Sequence, residues 1–115
     1  MSDLWNVKSL PSDLNQNVLT AICQQLMKDF ALCDWEFDSG IITIDELKGD
    51  LYKKVAHTME CNAENYFSSL YRLDIPDYIT KDTFQKEDPV ASFTELILLR
   101  AYQKIRLREI YKSLN

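Results

Sequence analysis

Cys23, Cys33, His57 and Cys61 are the thiol and imidazole side chains of this 115-residue chain, the types that hold structural zinc. Four is the number zinc takes, and His57 and Cys61 stand at i, i+4, the spacing that turns both toward one side of a helix. The rest of the spacing is wrong, because no Cys-x-x-Cys pair is present. Cys23 and Cys33 fall on or beside an apolar stripe, where a free cysteine behaves as a small hydrophobe. His57 falls on the polar side of its helix. As the single histidine it is also the obvious general base, yet beyond Cys61, already counted as a ligand, no serine or cysteine stands near it in sequence. The chain has no Gly-x-Ser-x-Gly elbow and no His-Glu-x-x-His. Its two glycines are far too few for a phosphate-cradling loop. A helical bundle can assemble distant carboxylates into a site, so an enzyme stands as a third reading behind the two that follow.

The loop around Asp34–Glu46 has the elements of a calcium site. Gly40, Ile42, Thr43, Glu46 and Leu47 match the second half of an EF-hand loop, with Gly40 at the turn, Ile42 as the central apolar residue and Glu46 as the bidentate ligand. In that register Trp35, Phe37 and Ser39 occupy the first three ligand positions. Asp34, Glu36 and Asp38 have the right alternation but stand one residue out of phase. A divergent EF-hand-like calcium module using Asp34, Glu36, Asp38 and Glu46 is therefore the alternative reading. The same residues also read as a capped helix after a tight turn. Thr43 fits the N-cap, Glu46 the N3 position, and Ile42 with Leu47 a hydrophobic staple. That reading needs no ion, and it is the one preferred here. No metal or cofactor is expected.

The third group lies near the C-terminus. Arg100, Lys104 and Arg108 run at i, i+4, i+8, beside an apolar stripe of Val90, Phe93, Ile97, Ala101 and Ile105. Cations placed there need carboxylate partners or must snorkel to water. Partners within the same chain are the simpler expectation; an acidic or phosphorylated segment of another protein is the functional one. Leu96, Leu98, Leu99 and Tyr102 fall on other sides, so the middle of this helix is apolar nearly all round. The three preceding helices are too few to enclose it easily. Leu96, Leu99, Tyr102 and Gln103, continuing toward Ile110, are thus expected to contribute to an interface with a protein partner or a second copy.

These groups must be positioned by helices. Asp88 and Pro89 open the last one, proline being suited to the first helical position. No Gly or Pro follows, so Pro89–Leu114 is expected to be one helix roughly 39 Å long. A domain of this size has a radius of gyration of only about 13–14 Å, so such a helix crosses the molecule or projects from it. Upstream, Ser12 reads as the N-cap of a helix over about 12–33. Leu14, Val18, Ile22, Leu26 and Phe30 form its apolar stripe, and Asn15, Gln16, Gln24, Gln25, Lys28 and Asp29 its flanks and outer face. Leu47, Leu51, Val55 and Met59 mark a second helix over 44–60. Asn62 can cap a third over 63–73, which Asp74-Ile75-Pro76 ends. Met1–Leu10 reads as an extended apolar arm, and 34–42 leaves room for a short β-ribbon. Residues 78–87 read as irregular, with one helical turn from Thr80 to Phe84. The aromatics Tyr66, Phe67, Tyr71, Tyr78 and Phe84 serve either the core or an interface.

Composition fits this picture. Two Gly and three Pro favour helices with short connections. Residues 1–88 hold 8 Lys/Arg and 16 Asp/Glu, a balance of −8, whereas 89–115 hold 5 and 2, a balance of +3. An acidic body around a basic last helix argues against nucleic-acid binding, since phosphates would be repelled. No apolar run approaches membrane length, and three irregularly spaced cysteines make no disulfide framework, so a cytoplasmic protein is expected. The fold expected is all-α, a single domain over 1–115 built as an irregular bundle of four main helices with a long C-terminal one. The function expected is a small acidic protein-interaction module or accessory subunit without catalysis.

Overall fold

The computed structural model describes residue 10, residues 14–38, residue 40 and residues 43–114, the side chains of 113 and 114 excepted. Five α-helices and one 3-10 turn follow in order: α1 (Gln16–Asp29), the turn Ala31–Cys33, α2 (Ile44–Cys61), α3 (Ala63–Arg72), α4 (Asp77–Phe84) and α5 (Pro89–Leu114). No strand occurs among the described residues, and no helix there is long and apolar enough to cross a membrane. The β-ribbon considered for 34–42 is therefore absent from its described part. The arm before Leu10, Ser12 and the staple residue Ile42 lie outside the described residues.

Local chemistry explains where the helices start. Thr43 Oγ1 accepts from Glu46 N at 3.1 Å while Glu46 Oε1 accepts from Thr43 N at 3.1 Å, so the expected capping box opens α2. Asp88 Oδ1 accepts from Ala91 N at 3.1 Å and caps α5 ahead of Pro89. Two caps differ from expectation. α1 begins at Gln16, not near residue 12, because Asn15 Oδ1 takes Val18 N at 2.9 Å. Asn62 stands at the start of α3 but makes no side-chain cap.

The ends are equally specific. α1 stops at Asp29 rather than near residue 33. The chain tightens into the Ala31–Cys33 turn and leaves through Asp34 at φ 55°. α3 ends in a Schellman arrangement, with Ile75 N donating to Leu70 O at 3.0 Å and Asp74 N to Tyr71 O at 2.9 Å. Asp74 occupies the left-handed position usually given to glycine, at φ 66°. Pro76 then starts α4, a full helix where sequence pattern suggested only a turn. Its apolar residues are few, which is why periodicity did not reveal it.

The core gathers Leu19, Ile22, Leu26 and Phe30, Leu47, Leu51 and Val55, Tyr66 and Leu70, and Phe93, Ile97, Leu98 and Ala101. Rings join these layers. Phe30 stacks on Trp35 at 4.0 Å between centroids, and Tyr66 meets Phe93 edge-on at 5.8 Å. The Trp35 indole donates to Thr58 Oγ1 at 2.9 Å, which lets a buried tryptophan keep its hydrogen bond. α5 packs against α1, α2 and α4. At roughly 1.5 Å per residue its 26 residues match the longest dimension of the molecule, 40 Å.

Candidate functional site

α5 has two parts with different surroundings. In the first, Phe93, Thr94, Ile97, Leu98, Arg100, Ala101 and Gln103 are all buried, so the neighbouring helices enclose most of the circumference. The Thr94 hydroxyl meets its need within the helix, donating to Val90 O at 2.8 Å. Leu96, Leu99 and Tyr102 are half-buried. Beyond Ile105 the helix leaves the core: Arg106 and Arg108–Lys112 are exposed, and only Leu107 remains half-covered. Ile110 and Tyr111 are 48% and 64% exposed. Of the five expected interface residues, Gln103 is thus turned inward at 6% exposure, Ile110 is open, and the other three line the partly open side between them.

The cation stripe divides at the same point. Arg100 is 8% exposed; its Nε donates to Leu73 O at 3.2 Å and its Nη2 lies 3.4 Å from Asp74 Oδ2. Lys104 Nζ lies 3.1 Å from Asp29 Oδ2 and 3.9 Å from Asp74 Oδ2. Gln25 Nε2 donates to the same Asp29 oxygen at 2.7 Å. These contacts tie α1 and the α3–α4 corner to α5. Arg108 ends the stripe differently, for its Nη2 donates to the neutral Gln25 Oε1. Sequence pattern placed Gln25 and Asp29 on the flanks and outer face of the first helix. They are buried because α5 lies over them and presents Lys104 there. Two cations one turn apart beside an apolar stripe were the signal that carboxylates must approach. Nothing in the sequence named Asp29 and Asp74 as the ones.

Beside Arg108 the surfaces of α1 and α5 form a groove of about 230 Å³, with the half-buried Ala21 and Ile105 as its apolar wall. Lys28, Arg108 and Lys112 line it, and none of them forms an ion pair among the described residues. Glu109, the single carboxylate lining it, makes an interaction of its own.

Apart from His57 and Cys61, the metal and catalytic candidates are scattered. Among the described residues no three His, Cys, Asp or Glu side chains come together as ligands. Glu46 Oε1 is held by Thr43, and Asp38 Oδ1 accepts from Gly40 N at 2.8 Å, so two carboxylates of the calcium alternative are committed to backbone turns. Asp34 and Glu36 are exposed. Cys61 Sγ lies 3.9 Å from His57 Nδ1, whereas Cys33 Sγ lies 3.7 Å from Ser69 Oγ on α3. Burial, chiefly, pushes the Cys23 and Cys33 thiols up from their ordinary range, which keeps them protonated and poorly nucleophilic.

A second exposed patch is formed by three of the aromatics expected to serve either the core or an interface. Phe67 and Tyr71 stand one turn apart on α3, and Phe67 meets Phe84 of α4 at 5.5 Å between centroids. All three rings are exposed, Tyr71 at 78%. Tyr66, one residue away, is instead fully buried within the same aromatic cluster. No family model, curated protein or solved structure matches this chain.

Proposed function

We propose that the chain is a protein-interaction module or accessory subunit without catalysis, working through the outer side of α5. The observation that carries this reading is the end of that helix. Two exposed turns stand clear of the core, and they hold Ile110 and Tyr111 out to water. Isolated surface apolar residues are common, but here Ile110 continues the half-open side of Leu96 and Leu99 along one rigid element, with Tyr111 on another side of the same turn. A self-complementary two-fold pairing of such faces is the commonest closed arrangement. The acidic balance of residues 1–88 disfavours nucleic acid as the partner.

Sedimentation velocity over a wide concentration range tests the reading. Wild-type protein is expected to associate, and Leu99→Asp to weaken that association while the circular dichroism spectrum stays helical. Leu99 is half-buried, so Ile110→Glu provides a second probe at a more open position. A wild-type chain that stays monomeric at the highest concentration, with both variants indistinguishable from it, sinks the interface on this side of α5.

A further inference from the structure

We propose that the groove between α1 and the last two turns of α5 binds an acidic segment of a protein partner. This rests on reading the chain as an interaction module, and it assigns the partner's chemistry at a place apart from Leu99. The first argument is charge. Lys28, Arg108 and Lys112 converge on the groove from two helices, without a carboxylate partner among the described residues. The two cations of α5 that lie over the core do have carboxylates, Asp74 for Arg100 and Asp29 for Lys104, whereas the exposed Arg106 stands singly outside the groove. Among the described residues of α5 and α1, three such cations against the single Glu109 converge only here. Charge left unmatched beside charge that is matched marks a surface complementary to something acidic.

Geometry narrows the occupant. Arg108 and Lys112 stand at i, i+4, about 6 Å apart, the spacing of carboxylates one turn apart on a helix. Ala21 and Ile105 offer an apolar wall for a side chain between those carboxylates. Residues 105–112 extend for roughly 11 Å, room for about two turns of an amphipathic helix. A second copy of this chain suits the groove poorly, because the acids of α2 and α4 are interspersed with lysines and Glu60 and Glu64 fall on separate helices. On α2, Asp45, Glu46 and Asp50 are interspersed with Lys48, Lys53 and Lys54; on α4, Asp77 and Asp82 flank Lys81. Nucleic acid suits it poorly too, since a strand leaving so short a basic groove meets a body with a balance of −8.

The test uses the full chain and fluorescence anisotropy. The probe is a labelled helical peptide of glutamate, leucine and alanine, with glutamates at i, i+4 and leucine on the same face. Its glutamine counterpart and a single-stranded oligonucleotide are the comparison arms. The glutamate peptide is expected to bind at low salt and to weaken about tenfold once the screening length falls well below 10 Å. Lys28→Glu, on α1, and the pair Arg108→Glu with Lys112→Glu, on α5, are each expected to weaken binding at least about tenfold. All these side chains are exposed, so the variants should remain folded by circular dichroism. Leu99→Asp should leave peptide binding unchanged, which separates failure of the groove from failure of the α5 face. No binding of the glutamate peptide, equal binding of the glutamine peptide, charge reversals without effect, or tighter binding of the oligonucleotide would each overturn the proposal.

Discussion

Residues 93–104 and residues 106–112 belong to one unbroken helix, yet they obey different rules. In the first stretch Phe93, Ile97, Leu98 and Ala101 are enclosed, Leu96, Leu99 and Tyr102 are half-covered, and both cations reach carboxylates, on α1 and at the α3–α4 corner. In the second, six of seven residues are exposed, and Arg108 finds only an amide. The difference cannot come from helix propensity, since both stretches are rich in good helix formers without Gly or Pro. It comes from what lies alongside. The four shorter helices run out before α5 does. Its inner half is therefore set by folding, and its outer half is left for whatever the molecule meets.

The largest effect should come from removing packing in the inner half. Ile97 is fully buried, so Ile97→Ala deletes apolar contacts and leaves a cavity that close neighbours can only partly fill. The expected cost is about 2–5 kcal/mol, read from the urea midpoint. A loss below about 1 kcal/mol would mean that the inner half is loosely packed and that the contrast between the halves is overstated.

Next comes the charge clasp. Asp29 is buried and receives both Gln25 and Lys104. A buried ion pair contributes little net stability, because desolvation offsets the attraction. Removing one member is another matter, for the remaining charge keeps its desolvation and loses its partner. Lys104 is partly exposed and can turn to water, which moderates the loss. Asp29→Ala is expected to cost about 2 kcal/mol in chemical denaturation, whereas Arg108→Ala stays within about 0.5 kcal/mol. Equal losses would show that Arg108 belongs to the same structural clasp.

Thr43→Ala gives a reference that does not depend on α5. It removes the acceptor for Glu46 N and should cost about 1 kcal/mol, below the Asp29 effect. This cap was legible in four consecutive residues because its partners are local. The same holds for Asp88-Pro89 and for the apolar stripes of α1, α2 and α5. Other features needed tertiary knowledge. Asn15 rather than a residue near 12 starts α1, since several polar residues there can accept a first-turn amide and periodicity cannot rank them. α4 escaped because Thr83 and Ile79, not a long apolar stripe, face inward. Gln25 and Asp29 looked like surface residues until α5 was laid over them. The cation stripe was visible, but its division was not. Arg100, Lys104 and Arg108 repeat one spacing, and only the three-dimensional reach of Asp74 and Asp29 distinguishes the third from the first two.

The smallest effect is the most informative about the outer half. Ile110 stands beyond the enclosed stretch and is nearly half open, so truncating it removes little area from contact with the rest of the chain. Ile110→Ala should change stability by no more than about 0.5 kcal/mol at a concentration where the protein is monomeric. Alanine also has the higher helix propensity, which offsets part of any lost packing. At concentrations where the wild-type chain associates, the same substitution should lower the apparent stability more, because association stabilises the native state by mass action. The sign of the concentration dependence is therefore the measurement that matters. A loss above about 1 kcal/mol that is independent of concentration would place Ile110 in the folded core and erase the boundary between the two halves. A loss that grows with concentration would locate the boundary and identify the outer half as contact surface.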